Sequence, residues 1–313
     1  MSLQAQYFQH ATPGAPNVHP GLRSRAGEFW LAIFFQLTRI APGLVRFFRP
    51  AFIRLAFAFS RKIRRNARLN ALRLGVEPDQ HASFGLAVVG SFYDFVYDIG
   101  KSMGATREQL ARRVTAIDGA ENYLAARAGK RGAILLTAHM GSFEAGLAAL
   151  PVHENKVHVV FKPDRVASFE RLRQSLREQL NVIEAPIDHG LVGWMRLREA
   201  LQRDEVVAVQ GDRVMPGQKG HAVPMLGGTI LLPTGPFKLA IAAQAPVIPI
   251  FSVRQNDGTQ RIVIHPAIEV EPDHLHAALE AFAGLLAVQL KAHPSQWLIL
   301  DPAFCEDSRR SDL

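Results

Sequence analysis

The sequence predicts an α/β protein with a mixed, largely parallel central sheet covered by helices, preceded by an N-terminal amphipathic, membrane-associated helical segment. Three observations predict it. From residue 114 onward, short apolar runs alternate with segments of helical periodicity, the pattern expected when strands are linked by crossover helices. Runs such as Ala133-Ile134-Leu135-Leu136 and Val206-Val207-Ala208-Val209 have the length of strands. Ahead of them, residues 28–73 form an aromatic stretch punctuated by arginine.

A chain of 313 residues fits one large domain with added helices. We divide it into a leader at 1–27, a membrane-associating helical segment at 28–75, a main domain at 76–301 and a tail at 302–313, leader and tail being flexible. The leader mixes Pro, Gly, Gln and His without an apolar run, which excludes a signal-peptide core there. A hydrophobic fraction of 48% supplies an ample core, and a mean hydropathy of +0.04 is apolar for a soluble enzyme. The net charge of +8 points to an anionic partner: nucleic acid, acidic lipid head groups or an acidic carrier protein. One cysteine, Cys305, rules out an internal disulfide and weakly favours a reducing compartment.

The aromatic stretch opens with Phe29-Trp30-Leu31-Ala32-Ile33-Phe34-Phe35 and continues through Phe47, Phe48, Phe52, Phe57 and Phe59. A spanning helix needs roughly 20 consecutive apolar residues. Arg39, Arg46, Arg49 and Arg54 interrupt every such window, so a helix lying in the membrane interface fits better. Arg61, Lys62, Arg64, Arg65, Arg68 and Arg73 then add a basic cluster suited to an anionic membrane surface. The alternative is a helical hairpin packed on the protein's own core with the arginines solvated.

Residues 81–100 carry apolar side chains at the spacing of a buried scaffold helix, and 106–113 form a short helix. Strands are expected at 114–117, 133–138, 157–161, 182–184, 206–210, 247–253 and 261–265. Helices are expected at 119–128, 142–150, 168–180, 191–202, 236–243 and 275–291. The stretch 211–235, rich in Gly and Pro, reads as a loop.

Chemistry concentrates in Thr137-Ala138-His139-Met140-Gly141-Ser142-Phe143-Glu144, where an apolar strand runs into His and, five residues on, Glu. On one helix those two side chains would stand roughly 140° apart and never meet. Across a strand-to-helix turn, with Gly141 bending the chain and Ser142 capping the helix, Glu144 can reach back to His139. A carboxylate on one ring nitrogen would fix the tautomer and leave the other as a general base. A satisfied structural His and a Glu complementing the helix dipole would give the same pattern. The carboxyl end of a strand, where open α/β sheets bind ligands, favours chemistry.

These residues, with four later blocks in order, resemble the lipid A late acyltransferase family within the lysophospholipid acyltransferase superfamily. His139 and Glu144 match its His-x4-Asp/Glu dyad. Phe161-Lys162-Pro163-Asp164-Arg165, Gly211-Asp212-Arg213 with Val223-Pro224-Met225-Leu226-Gly227, Pro233-Thr234-Gly235-Pro236 and Ala245-Pro246-Val247-Ile248-Pro249 are similar to its other blocks. Arg165 stands where the family often has Asn and Arg213 where it often has Gln, and Met225-Leu226 replace paired Phe, which bears on the acceptor rather than the reaction. The resemblance implies direct transfer of a fatty acyl group from an acyl carrier protein thioester, or from CoA, to a hydroxyl or amine of a membrane lipid. It implies action at the cytoplasmic face of the inner membrane, with a lipid A-like glycolipid as the default acceptor. An amino-acyl, inositol-mannoside or pigment-type lipid is the alternative.

Lys162 and Arg165 suit a phosphate or carboxylate, or are ordinary solvated charges, and Arg171 and Arg173 extend the positive surface. Asp212 and Arg213, after a strand, are candidates for orienting the substrate. Val223 to Leu232 lines an acyl channel or belongs to the core, with core favoured for Ile230, Leu231 and Leu232. No Gly-x-Ser-x-Gly elbow, Walker loop or metal-ligand spacing occurs, so we expect no serine nucleophile, metal or cofactor. Two rival classes remain: a non-catalytic membrane scaffold, and a nucleic-acid binder using the basic cluster. The second leaves the His–Glu pair unexplained, and nucleic acid is not an expected partner.

Overall fold

The computed structural model describes residues 22–308 apart from 151–153, 155, 164–166 and 216–217. Three helices come first: α1 (Leu22–Ile40), α2 (Pro42–Phe59) and α3 (Arg61–Arg73). A long helix, α4 (His81–Ser102), and the short α5 (Arg107–Ala111) lead into the sheet. There follow β1 (Val114–Asp118), α6 (Ala120–Arg127), β2 (Ala133–Thr137), α7 (Phe143–Ala149), β3 (Val157–Phe161), α8 (Ala167–Gln179) and β4 (Ile183–Pro186). The chain continues through α9 (Gly190–Gln202), β5 (Val206–Gln210), β6 (Gly220–Met225), β7 (Gly228–Pro233), α10 (Gly235–Ala243) and β8 (Val247–Arg254). It closes with β9 (Gln260–Ile264), α11 (Leu275–Ala292) and α12 (Cys305–Ser308).

Seven strands form one sheet in the order β1-β9-β8-β2-β5-β3-β4. The run from β8 to β4 is parallel, while β9 lies antiparallel to β8 and carries β1 parallel to itself, so the expected mixed, largely parallel sheet is present. Burial on both faces explains why the inner strands β2, β3, β5 and β8 read as largely apolar runs. Ile134 and Leu136 of β2 enter one core with Phe237, Phe251 and Phe282, while Ala133 and Leu135 enter a second core with Leu147, Val159 and Ile248. Helix α11 is long and apolar enough to cross a bilayer by composition, yet Leu279, Phe282, Leu286 and Leu290 are wholly buried in the first core.

The stretch 211–235 is a correction. It holds an antiparallel hairpin, β6–β7, turned by Leu226 and Gly227, whose φ values are +51° and +69°. Two successive positive φ angles make the tight turn that matches strand twist. Pro224, Gly227 and Gly228 hid the strands in the sequence, because proline and glycine are ordinarily breakers; in a separate two-stranded sheet both faces of the rule relax. Val223, Met225, Ile230 and Leu232 are buried in the first core, the second of the two uses considered for this stretch.

The N-terminal helices pack on the protein's own core along one face and leave the other exposed. One face of α2 packs on α4 through Val45, Ile53, Val89 and Tyr93, and Phe35 of α1 packs with Ile99; Tyr93 Oη donates to Val45 O at 2.6 Å. Arg49 and Asp94 lock the helices with two bonds of 2.7 Å. Gly85 of α4 makes room for Phe57, whose ring a Cβ there would meet at 2.4 Å. The other face leaves Trp30, Ile40, Phe47, Phe48, Phe52 and Phe59 exposed, Phe59 at 84%. Part of the basic cluster is engaged by the chain's own C-terminal segment: Lys62 pairs with Asp301 at 2.8 Å and Arg73 with Asp307 at 2.9 Å.

Candidate active site

Parallel register builds the centre of the site. β2 and β5 pair with Thr137 opposite Gln210, so His139 and Asp212 each stand two residues past the carboxyl end of neighbouring strands. Gly211 N–H donates to Thr137 O at 2.8 Å, carrying the pairing one step beyond the strands. The side chains then meet: His139 Nδ1 lies 2.6 Å from Asp212 Oδ1. Asp212 is buried and the His139 side chain is 30% exposed, so the ring stands between a buried carboxylate and solvent.

Asp212 is held on its other oxygen by the buried Trp297, whose Nε1–H donates to Oδ2 at 2.8 Å. Burial alone would push the Asp212 carboxyl up; the His139 ring and its hydrogen bond, Arg213 and the Trp297 N–H together outweigh burial and hold it well below the usual carboxylate range. An ionised Asp212 accepts from Nδ1–H, which leaves the lone pair of His139 on Nε2. That is the protonation state a general base requires.

A C-terminal strap fixes the backbone around the pair. Leu298 N–H donates to His139 O at 2.8 Å, and Arg213 Nη2 donates to Leu298 O at the same distance. On the helix side, Gly141 takes φ +56° in a place where a Cβ would lie 2.4 Å from Ser252 O. Only glycine fits that turn. Ser142 Oγ caps α7 by accepting from Ala145 N–H at 3.2 Å, as its position before the helix predicts.

The expected contact between Glu144 and His139 is the second correction. Glu144 sits in the first turn of α7, but its buried carboxylate makes no hydrogen bond to the ring, because the turn at Gly141 rotates α7 away and Asp212 already fills the Nδ1 side. Glu144 Oε2 instead faces a cavity of about 20 Å³ shared with Phe161, Arg173, Arg177 and Gln210. Arg177 stacks over Phe161 at 3.9 Å and pairs with Glu170 and Glu184.

The structure brings His139, Asp212 and Arg213 together and sets Glu144 and Lys162 apart. Lys162 follows β3, two strands from His139 on the same carboxyl edge, and is half-buried. Arg213 gives its Nη2 to the Leu298 carbonyl, while its buried Nε has no hydrogen-bond partner among the described residues. Arg165 and Asp164 lie outside the described residues. Trp297 and Leu298 escaped sequence reasoning, since nothing in an apolar run after α11 marks a partner for a strand 85 residues earlier.

Two cavities draw on the segments that flank His139. A groove of about 270 Å³, almost wholly apolar, runs along Tyr123, Leu135, Thr137, Phe143, Leu147 and Ile250. A polar cleft of about 870 Å³ opens between α2, α4 and the β8–β9 turn, with Gly141 and Leu298 in its wall. Thr137 of β2 lines the first and Gly141 the second, the two residues that flank His139 at a distance of two positions each.

The chain matches, over residues 22–305, the family model of bacterial lipid A biosynthesis acyltransferases. It is also similar to the phosphatidylinositol mannoside acyltransferase of Mycobacterium tuberculosis (strain ATCC 25618 / H37Rv), 26% identical over 259 residues and 80% of each chain. A protein of the same description from Mycolicibacterium smegmatis (strain ATCC 700084 / mc(2)155) is 25% identical over 209 residues, 66% of this chain and 68% of its own.

Proposed function

We propose, from the premise that this chain belongs to the bacterial lipid A biosynthesis acyltransferase family, that His139 is the general base of a direct acyl transfer from a thioester to a hydroxyl of a membrane glycolipid. The observation that carries it is the His139–Asp212 bond of 2.6 Å, formed just past a strand whose Leu135 and Thr137 line an apolar groove. Nε2 takes the proton of the acceptor hydroxyl as its oxygen attacks the thioester carbonyl carbon. The new C–O bond forms, the C–S bond breaks, and the imidazolium returns the proton to the departing thiolate. Asp212 keeps the proton on Nδ1 and stabilises the charged ring between those steps.

The acyl chain of the donor lies in the groove beside Thr137 and Phe143, where apolar walls replace its contact with water. The donor is an acyl carrier protein or CoA thioester, and Lys162 on the carboxyl edge suits its phosphate, with Arg165 a further candidate from the sequence. Glu144 belongs to the catalytic set through the local field rather than through the ring: its buried carboxylate shares a cavity with Arg177 and with Gln210, the β5 residue paired with Thr137. Of the acceptors the family admits, the relatives' descriptions favour an inositol-mannoside lipid over a lipid A-like one.

The exposed aromatic face of α1 and α2, continuous with the basic residues of α3, is the surface that rests on the cytoplasmic leaflet of the inner membrane. Aromatic rings at the head-group level and cations toward anionic lipid make two anchoring signals. The test is transfer of a labelled acyl group from acyl carrier protein and from CoA to a panel of phosphatidylinositol mannosides and lipid A precursors. Transfer to a mannoside supports the reading; absence of transfer from either thioester to any member overturns it.

A further inference from the structure

The polar cleft is a built cationic site that the acyl-transfer chemistry itself does not use. Six cations and three carboxylates line it. Two of the carboxylates are consumed where they stand: Asp94 pairs with Arg49 at 2.7 Å and Asp98 with Arg254 at 2.8 Å. The third, Asp257, is turned to Thr259, accepting from its N–H at 2.8 Å and its hydroxyl at 2.7 Å. Arg46, Arg54, Lys101 and Arg113 remain.

None of those four has a carboxylate partner within ion-pair distance among the described residues. Arg113 is partly buried and donates only to neutral oxygens, those of Lys101, Ser102 and Asp98, at 3.2, 3.0 and 3.4 Å. Arg46 and Arg54 project from α2, two turns apart on one side of the helix, and both are exposed. Cations without carboxylate partners that line one concave space raise its positive potential and attract an anion. A guanidinium pair favours a planar or tetrahedral oxyanion over a halide.

We propose that this cleft receives the phosphate of an anionic membrane lipid and so presents that lipid's polar head to His139, an inference that rests on the acyl-transfer reading. A lipid is favoured over the donor's phosphopantetheine by the walls. The helix that supplies Arg46 and Arg54 also exposes Phe47, Phe48, Phe52 and Leu55, so a head group in the cleft keeps its tails beside an apolar face. Gly141 and Leu298 in the opposite wall connect the cleft to the His139 backbone.

The experiment uses full-length His139→Ala protein, so that binding is read without turnover, and two soluble probes, dibutanoyl phosphatidylinositol and 4′-phosphopantetheine, by titration calorimetry. Arg46→Gln with Arg54→Gln should weaken the phosphatidylinositol probe roughly tenfold to a hundredfold, the loss expected for charge-assisted bonds. Binding of phosphopantetheine should not change, and a distant pair, Lys238→Gln with Lys291→Gln, should change neither. The two arginines are exposed and unpaired, so the variant keeps its fold, which a thermal melt checks. Unchanged phosphatidylinositol affinity in the double variant, no binding of that probe at all, or loss of phosphopantetheine instead would each overturn the proposal. Transfer retained by the His139→Ala protein, with this binding pattern intact, would count against the catalytic reading alone.

Discussion

Asp212→Asn is expected to abolish most of the activity while leaving the fold in place, through a hydrogen-bond count. In the wild type each carboxylate oxygen serves one donor: Oδ1 takes the His139 ring at 2.6 Å and Oδ2 takes Trp297 Nε1–H at 2.8 Å. Asparagine offers one oxygen and one NH₂. Buried Trp297 can only donate, so the oxygen goes to it and the NH₂ faces Nδ1. The ring must then accept there and carry its proton on Nε2, where the base should be. A base locked in the wrong tautomer is expected to cost about 10³- to 10⁴-fold in kcat, roughly 4–5.5 kcal/mol of barrier. KM should change little, because neither Asp212 nor Trp297 is exposed to substrate. The assay is steady-state transfer at saturating thioester and acceptor, paired with ¹⁵N shifts of the His139 ring. A kcat within about threefold of wild type, against the cost of a misplaced proton, would refute the reasoning, as would a ring that keeps Nδ1–H in an inactive Asn variant.

Other consequences are independent of that pair. Gly146 lines the apolar groove and a Cβ there finds only Ile262 Cδ1 at 3.6 Å, so Gly146→Ile should fold and shift kcat/KM toward shorter acyl chains by about tenfold; an unchanged chain-length profile removes the donor from the groove. Replacing Arg61, Lys62, Arg64 and Arg65 with Gln should lower binding to anionic vesicles, more at low salt than at high, in a sedimentation assay; equal binding at every salt returns the segment to a purely internal role. Glu205 is pushed up by burial but drawn down further by hydrogen bonds from Arg203, His158 and Lys156, to about 2 from an ordinary 4.5. A depressed carboxylate stabilises the fold above its unfolded pKa, so up to about 3 kcal/mol should be lost as acid takes the pH from the unfolded to the folded value. Acid denaturation of Glu205→Gln should show a flatter limb over that window; superimposable curves would contradict the cluster's role.

The alternation of strands and helices was legible because buried parallel strands write themselves as apolar runs; β2, with all five residues buried, is the clearest case. The β6–β7 hairpin was not, since Pro224, Gly227 and Gly228 are read locally as breakers while their pairing is tertiary. His139 at a strand end could be found from its own neighbours. Its partner could not: Glu144 is near in sequence, whereas Asp212 is 73 residues away and arrives through the register of β2 and β5. The apolar groove was equally hidden, because its wall draws on β1, α6, β2, α7, β5, β8 and β9, and no single run of sequence announces it. Arg213 looked like a ligand for substrate as a lone cation after a strand; the strap that occupies it comes from the other end of the chain.

The most direct test of the central claim is lipid mass spectrometry of host cells lacking the protein, complemented with wild type or with His139→Ala at matched expression. One class of acylated membrane glycolipid should disappear in the deletion strain, return with wild type and stay absent with His139→Ala. Return of that lipid with His139→Ala, or a lipidome unchanged by the deletion, would contradict that claim.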